Sequence, residues 1–168
     1  ASFEELRYFH TSAYIERVET LSNGFGGDAG ELTPIGTGSF QIARLSAGGC
    51  LAAADAIMAG EVGNAYALVR PPGHHAEPDR GRGFCVFANN VLTVHHLKRR
   101  HGVRRVAIVD WDVHHGNSQE GAFWDDPTVL TISVHQDNYY PPQSGGVDRV
   151  GGGAGAGANL NVPLPPGS

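Results

Sequence analysis

Residues 106–115, which read VAIVDWDVHH, decide the fold of this chain. Four apolar residues lead directly into two aspartates, Asp110 and Asp112, and then into His114 and His115. A short apolar run that ends at polar residues is typical of a buried strand in a parallel sheet. Ligands of such sheets bind beyond the carboxyl ends of the strands. The stretch therefore predicts an α/β protein with a functional site directly after residue 109.

Two further apolar runs, at residues 66–69 and 129–134, are also followed by polar residues. The first leads to His74 and His75, and the second leads through Ser133 to His135 and Asp137. Because parallel strands end at the same edge of a sheet, we expect the three clusters to share one rim. Another strand begins near residues 159–163.

Helical periodicity and capping residues predict four helices, over residues 12–21, 39–59, 87–101 and 117–124. Helices and strands alternate along the chain, and the strands are apolar throughout. Both features favour a parallel sheet that is covered on both faces. The two glycine-rich segments, residues 24–38 and 145–157, are expected to be long loops.

Composition narrows the class of protein. The chain has 168 residues, of which 40% are hydrophobic, and a formal net charge of -5. The charge argues against a non-specific nucleic-acid-binding protein. No apolar stretch is long enough to span a bilayer, and the N-terminus lacks the pattern of a signal peptide. Two cysteines make no disulfide framework, so we expect a reducing, cytoplasmic setting.

Asp112 and His114 are the strongest candidates for metal ligands. Residues two apart in an extended segment face the same side, and a carboxylate with an imidazole suits Zn²⁺. A catalytic zinc has three protein ligands and an open position, and this stretch supplies two ligands. Asp110 lies on the same side and either binds the metal or orients a histidine. A single Asp-X-His pair is common, and His74-His75 alone could be a turn, but their joint occurrence favours a site.

Three motifs resemble the histone deacetylase and acetylpolyamine amidohydrolase superfamily, in particular its class II and bacterial members. They are RPPGHHA at residues 70–76, GFC at 83–85 and DWDVHHGN at 110–117. The resemblance extends from about residue 10 to residue 166. It implies the three-layer α/β/α arginase–deacetylase fold with a parallel sheet. It also implies zinc-dependent hydrolysis of an acetyl amide on a lysine or a polyamine.

The resemblance assigns roles to the residues of these motifs. Asp112 and His114 correspond to two of the family's three zinc ligands. His74 and His75 correspond to its tandem histidines beside the attacking water. Zinc would polarise the acetyl carbonyl, and a histidine would take a proton from water and pass one to the leaving amine.

The same resemblance pairs a carboxylate or amide with each tandem histidine. Asp110 matches the partner of His74, and Asn117 stands where the family has an Asp or Asn partner for His75. The weaker contact from Asn117 favours His75 as the general base and acid.

Further residues match the substrate channel and the family's monovalent cation sites. Phe84 resembles one wall of the channel, Tyr140 the facing wall, and Asp28 a rim aspartate that grips substrate. Without the resemblance, Phe84 could equally be a core residue. Potassium is implied at two sites, the first with Asp110, Asp112, His114, Ser133 and Val134, and the second with Phe123, Asp126 and Val129.

The resemblance also predicts that the catalytic site is incomplete in this chain. The family's third zinc ligand, an aspartate, and its oxyanion donor, a tyrosine or histidine, would follow residue 168. Its first strand would precede residue 1. We therefore expect residues 1–168 to be the N-terminal half to two-thirds of a single catalytic domain, inactive in isolation. His135 and Asp137 are the only nearby substitutes for the missing ligand.

We considered two other functions for a chain with these residues. A binuclear ureohydrolase such as arginase shares the fold but needs an aspartate at position 116, which is glycine here. A non-catalytic domain that binds acetyl-lysine, or an inactive deacetylase-like domain, is the main alternative. The sequence does not distinguish between acetylated histone tails, other acetyl-lysine proteins, acetylpolyamines and small acyl amides as substrates. We expect no direct role for nucleic acid or membrane.

Overall fold

The computed structural model describes all 168 residues, which form two compact units, Ala1–Val103 and Arg104–Ser168. The first unit is mainly helical, and the second is built on a parallel sheet. No helix is long and apolar enough to cross a membrane.

Four helices form most of the first unit: α1 (Phe3–Leu6), α2 (Ser12–Asn23), α3 (Ser39–Met58) and α4 (Asn89–His101). The predicted starts of α2 and α3 are confirmed, and α4 begins two residues later than expected. Thr11 caps α2 by accepting a hydrogen bond at Oγ1 from the Tyr14 amide, 3.2 Å away. Gly102 ends α4 in the left-handed conformation, with a φ of 66° that costs glycine little.

Aromatic and aliphatic side chains from these helices make one core. Phe40 and Phe87 are fully buried and meet edge to face, with ring centroids 6.1 Å apart. Ile15 and Leu92 are also 0% exposed in the same cluster. The core therefore packs α2, α3 and α4 against Val86 and Phe87, which precede α4.

The first glycine-rich segment contains short strands where a loop was expected. Strand β1 (Gly27–Asp28) pairs antiparallel with β3 (Pro34–Ile35), and β2 (Gly30–Glu31) pairs parallel with β4 (Gly81–Arg82). A side chain at Gly30 would collide with the backbone of Gly81. Glycine at this position thus permits the close approach of the two strands.

The second unit contains β5 (Val106–Asp110), α5 (Asn117–Ala122), β6 (Val129–Gln136), a 3₁₀ turn (Gly153–Gly155) and β7 (Asn159–Leu164). The three strands form a parallel sheet in the order β5-β6-β7. The predicted α/β class with parallel strands is confirmed here. Asp110 is opposite Ser133 in the register, so β5 and β6 end at the same edge.

The two faces of the sheet differ in exposure within these 168 residues. Val109, Leu130 and Leu160 are 50%, 40% and 49% exposed on one face. The buried face instead carries polar side chains. They are Thr131, Ser133, His135, Asn159 and Asn161. Apolar composition indicated strands correctly, but it did not reveal which face the chain buries.

The predicted strand at residues 66–69 is wrong. This segment has no regular structure, and Tyr66 and Leu68 are 88% and 86% exposed. A strand is stable only when a neighbour accepts and donates its backbone hydrogen bonds. No such pairing forms for these residues, so the expected rim is built from two of its three strands.

Candidate active site

The end of β5 brings Asp112 and His114 together. Asp112 Oδ1 lies 3.0 Å from His114 Nδ1 and accepts a hydrogen bond from the His114 amide at 2.8 Å. The two side chains are 48% and 33% exposed, so both potential ligand atoms are accessible. Ligand atoms around a tetrahedral zinc lie about 3.3 Å apart, which is close to the observed separation. The pair therefore fits two neighbouring positions of a zinc site.

Asp110 is buried beneath this pair and supports its backbone. Its Oδ1 accepts a hydrogen bond from the Asp112 amide at 3.1 Å, and its Oδ2 accepts one from Gln119 Nε2. A side chain at Gly116 would collide with both Asp110 and Gln119. Position 116 thus has no room for the aspartate that a binuclear ureohydrolase requires.

A network of hydrogen bonds surrounds the buried carboxylate of Glu120, which lies in α5. Its carboxylate accepts hydrogen bonds from Asn159 and Asn161 at 2.9 and 2.7 Å, and from Arg149 Nε at 2.6 Å. His115 Nε2 lies 3.3 Å from it. Burial acts to raise the pKa of Glu120, but hydrogen bonds from His115, Asn161 and Arg149 outweigh it and lower the pKa to about 2. The glutamate is therefore an anion that ties α5 to β7.

Both ring nitrogens of His135 are already used. Nε2 donates to the Gly145 carbonyl at 3.1 Å, so Nδ1 is the acceptor for the Ser133 hydroxyl at 2.9 Å. Burial lowers the pKa of His135, with a further contribution from His115, which favours this neutral form. Since both nitrogens have partners, His135 is not free to act as a metal ligand. Asp137 is exposed, and its backbone amide bonds to Leu164.

Two tyrosines flank His114. Tyr140, predicted as a channel wall, lies edge to face with the His114 ring at 5.8 Å, and its carbonyl accepts a bond from the His115 amide. Tyr139 stacks on the same histidine ring, with centroids 5.1 Å apart. Tyr139 was missed because the sequence does not show which of two adjacent tyrosines faces the histidine.

The residues predicted to bind potassium lie in two groups of the second unit. Ser133 accepts a hydrogen bond from the Gly116 amide at 3.2 Å, directly beside Asp110 in the register. In the other group, the Asp126 amide donates to the Phe123 carbonyl, and the Val129 amide donates to the Asp126 carbonyl. Val134 lies in β6 and Asn117 begins α5. A tight turn with carbonyls supplies the donor type that such ions prefer.

In the first unit, His74 and His75 lie on a turn with their ring planes tilted by 33°. Their ring centroids are 3.9 Å apart, His75 is buried and His74 is half-buried. The turn is anchored at the Pro71 carbonyl, which accepts hydrogen bonds from Ser46 at 2.7 Å and from Asn89 at 3.2 Å. Ser46 and Asn89 were missed, since no sequence pattern links them to residue 71.

The end of this turn is anchored by a second buried histidine. His10 donates from Nδ1 to the Glu77 carbonyl at 3.0 Å and accepts at Nε2 from the Ala88 amide at 2.9 Å. Burial lowers the pKa of His10 to about 4, so the ring is neutral and keeps the tautomer that makes both bonds. His10 therefore positions the backbone after the tandem histidines and on both sides of the GFC motif.

Phe84 is a surface residue and not part of the core. It is 66% exposed and lines a groove of about 740 Å³ together with Ile35 and Pro71. Its φ of 66° is unusual for a residue with a side chain, and such conformations cluster at functional sites. Asp28 is exposed, but its Oδ1 already accepts from the Gly30 and Thr33 amides.

Comparison with known proteins identifies the family of the chain. The profile of the histone deacetylase domain matches residues 1–168. A histone deacetylase-like amidohydrolase of Pseudomonas aeruginosa is 52% identical over 99% of this chain and 44% of its own length. A probable deacetylase of Archaeoglobus fulgidus is 43% identical over all of this chain and 46% of its own length.

A solved structure gives the same result for the fold. The acetylpolyamine aminohydrolase of Burkholderia pseudomallei matches 99% of this chain and 58% of its own, with a TM-score of 0.91 and 31% identity. The chain thus spans under half the length of the two curated relatives. The match of the family profile over every residue shows that the chain belongs to the histone deacetylase domain family.

Proposed function

We propose that this protein is a zinc-dependent amidohydrolase that removes acetyl groups from acetyl-lysine or acetylpolyamine, and that residues 1–168 are part of its single catalytic domain. The observation that carries the proposal is the pair Asp112 and His114, exposed at the end of β5 with ligand atoms 3.0 Å apart. The relatives named as deacetylases and amidohydrolases support the reaction class.

Asp112 Oδ1 and His114 Nδ1 would hold the zinc, and the Asp110 carboxylate would fix the backbone at Asp112. When bound, zinc supplies Lewis acidity that polarises an acetyl carbonyl and activates water. A third protein ligand, as catalytic zinc requires, would come from outside these 168 residues.

His74 and His75 would move the protons of the reaction. In the role implied by the family, His75 takes a proton from water and passes one to the leaving amine. Asp110 and Asn117 are proposed as the partners of His74 and His75. The anchored turn at Pro71 would limit the motion of the two rings, which proton transfer requires.

Substrate binding is assigned to two aromatic residues and one aspartate. Phe84 and Tyr140 would line the channel for an acyl-lysine stem or a polyamine chain, and Asp28 would lie at its rim. Potassium is proposed at the Asp110, Ser133 and Val134 group and at the Phe123, Asp126 and Val129 turn. A cytoplasmic location is proposed from the cysteine content.

The test is metal content and amide hydrolysis in the complete protein. We expect one zinc at the catalytic site and turnover of acetyl-lysine peptides or acetylpolyamines, with Asp112→Asn losing both. Asp137→Asn is the matched control, because it changes an exposed aspartate after the neighbouring strand. Full activity of Asp112→Asn would contradict the proposal, and a zinc-free, inactive parent would favour the acetyl-lysine-binding alternative.

A further inference from the structure

The C-terminal turns of α3 and α4 bring together three side chains that the proposed deacetylase reaction does not use. Asp55 Oδ1 lies 2.7 Å from His96 Nε2 and 2.6 Å from His101 Nε2. His96 is 1% exposed, whereas the side chains of Asp55 and His101 are 43% and 22% exposed. The cluster therefore has a buried base and an opening to solvent.

Hydrogen bonding leaves one nitrogen of this cluster unsatisfied. A carboxylate only accepts, so both imidazoles must carry a proton on Nε2. In neutral His96 this leaves a lone pair on Nδ1, which is buried, has no hydrogen-bond partner and lies 3.8 Å from Glu5 Oε1. An unsatisfied buried acceptor that faces a carboxylate is unfavourable. The arrangement indicates that another species belongs at Nε2.

We propose that Asp55, His96 and His101 bind a divalent transition-metal cation, with Zn²⁺ as the best fit. Two imidazoles and one carboxylate are a common zinc donor set, and the three ligand atoms lie within 4.8 Å of one another. With metal on Nε2, the single proton of His96 moves to Nδ1 and points at Glu5. This produces the carboxylate–histidine–metal arrangement that commonly orients a ligating imidazole.

The geometry needs only a small adjustment. Tetrahedral zinc separates its ligand atoms by about 3.3 Å, so the present contacts must open by roughly 0.6 Å. Asp55 and His101 are the more exposed members and can move by rotation of their side chains. Solvent supplies the fourth ligand. A bound ion would link the ends of α3 and α4 and, through Glu5, the first helix.

The experiment titrates the metal-free chain with Co²⁺, which is a spectroscopic substitute for zinc. This background protein carries Asp112→Asn and His114→Ala, which remove the two proposed catalytic zinc ligands. We expect one equivalent with the visible absorption of four-coordinate cobalt. His101→Gln and Asp55→Asn should each abolish it. His95→Gln, on the same helix, is the control and should retain it.

Two further measurements test the details of the site. Glu5→Gln replaces the carboxylate that faces His96 Nδ1 but keeps a side-chain acceptor for the Ser2 amide, and it should weaken binding about 10- to 100-fold. Zinc should raise the thermal midpoint of the background protein but not that of His101→Gln. Absence of the equivalent in the background protein, or its persistence in both His101→Gln and Asp55→Asn, would overturn the proposal. Neither outcome depends on deacetylase activity.

Discussion

His10 shows how one buried side chain can make stability depend on pH. Its pKa is lowered to about 4 in the folded chain by burial, against an ordinary value of 6.5. As the pH falls below 6.5, the unfolded chain takes up a proton that the folded chain does not. Stability should therefore decrease between pH 6.5 and about 4.

Replacement of His10 should make that decrease less steep. His10→Gln removes the titrating group, so its free energy of unfolding should change less between pH 6.5 and 4 than that of the parent chain. Chemical denaturation at several pH values measures both slopes. Equal slopes would show that His10 does not titrate with the lowered pKa.

The Glu120 carboxylate should make stability depend on pH in a lower range than His10 does. Its pKa is about 2 in the folded chain, below the ordinary 4.5, so it stabilises the fold above pH 4.5. That contribution is lost as the pH falls from 4.5 to 2. Glu120→Gln should cost about 3 kcal/mol at pH 7, because it removes the charge from a buried network. Exposed Glu61→Gln is the control for the denaturation experiment and should change stability little.

At the scale of elements, the turn that carries the tandem histidines depends on the start of α4. Asn89 is buried and donates to both the Pro71 carbonyl and the Ser46 hydroxyl. Asn89→Ala should lower the free energy of unfolding by about 1–2 kcal/mol, since buried acceptors lose their donor. It should also reduce kcat in the complete protein by loosening His74 and His75.

The neighbouring residue provides the control for that variant. Asn90 is exposed on the same turn of α4, so Asn90→Ala should change stability by less than about 0.5 kcal/mol. If the two alanine variants behave alike in denaturation and in steady-state kinetics, the Pro71 anchor has no special role.

The elements also show which parts of the fold were readable from sequence. The helices at residues 12 and 39 were predicted from capping residues and periodicity, because both depend on neighbours within one or two turns. The strand predicted at residues 66–69 failed because pairing depends on distant residues. The short strands between Gly27 and Ile35 were missed for the same reason.

At the scale of the entire chain, the two units carry different parts of the proposed machinery. The first contains His74, His75 and Phe84, and the second contains Asp112 and His114. Because these residues supply two zinc ligands where three are needed, the 168-residue chain alone should not hydrolyse acetyl-lysine peptides or acetylpolyamines. Measured turnover by the isolated chain, lost in Asp112→Asn, would contradict the incomplete site.

The sequence established the α/β class and the family and predicted the pair Asp112 and His114, because these rest on local spacing and on long contiguous motifs. Tertiary structure decided which face of the sheet is buried, which side chains hold Asp110 and Pro71, and how Asp55 meets His96 and His101. Those contacts join residues between 9 and 46 positions apart. Their formation depends on how helices and strands pack, and no local pattern specifies that packing.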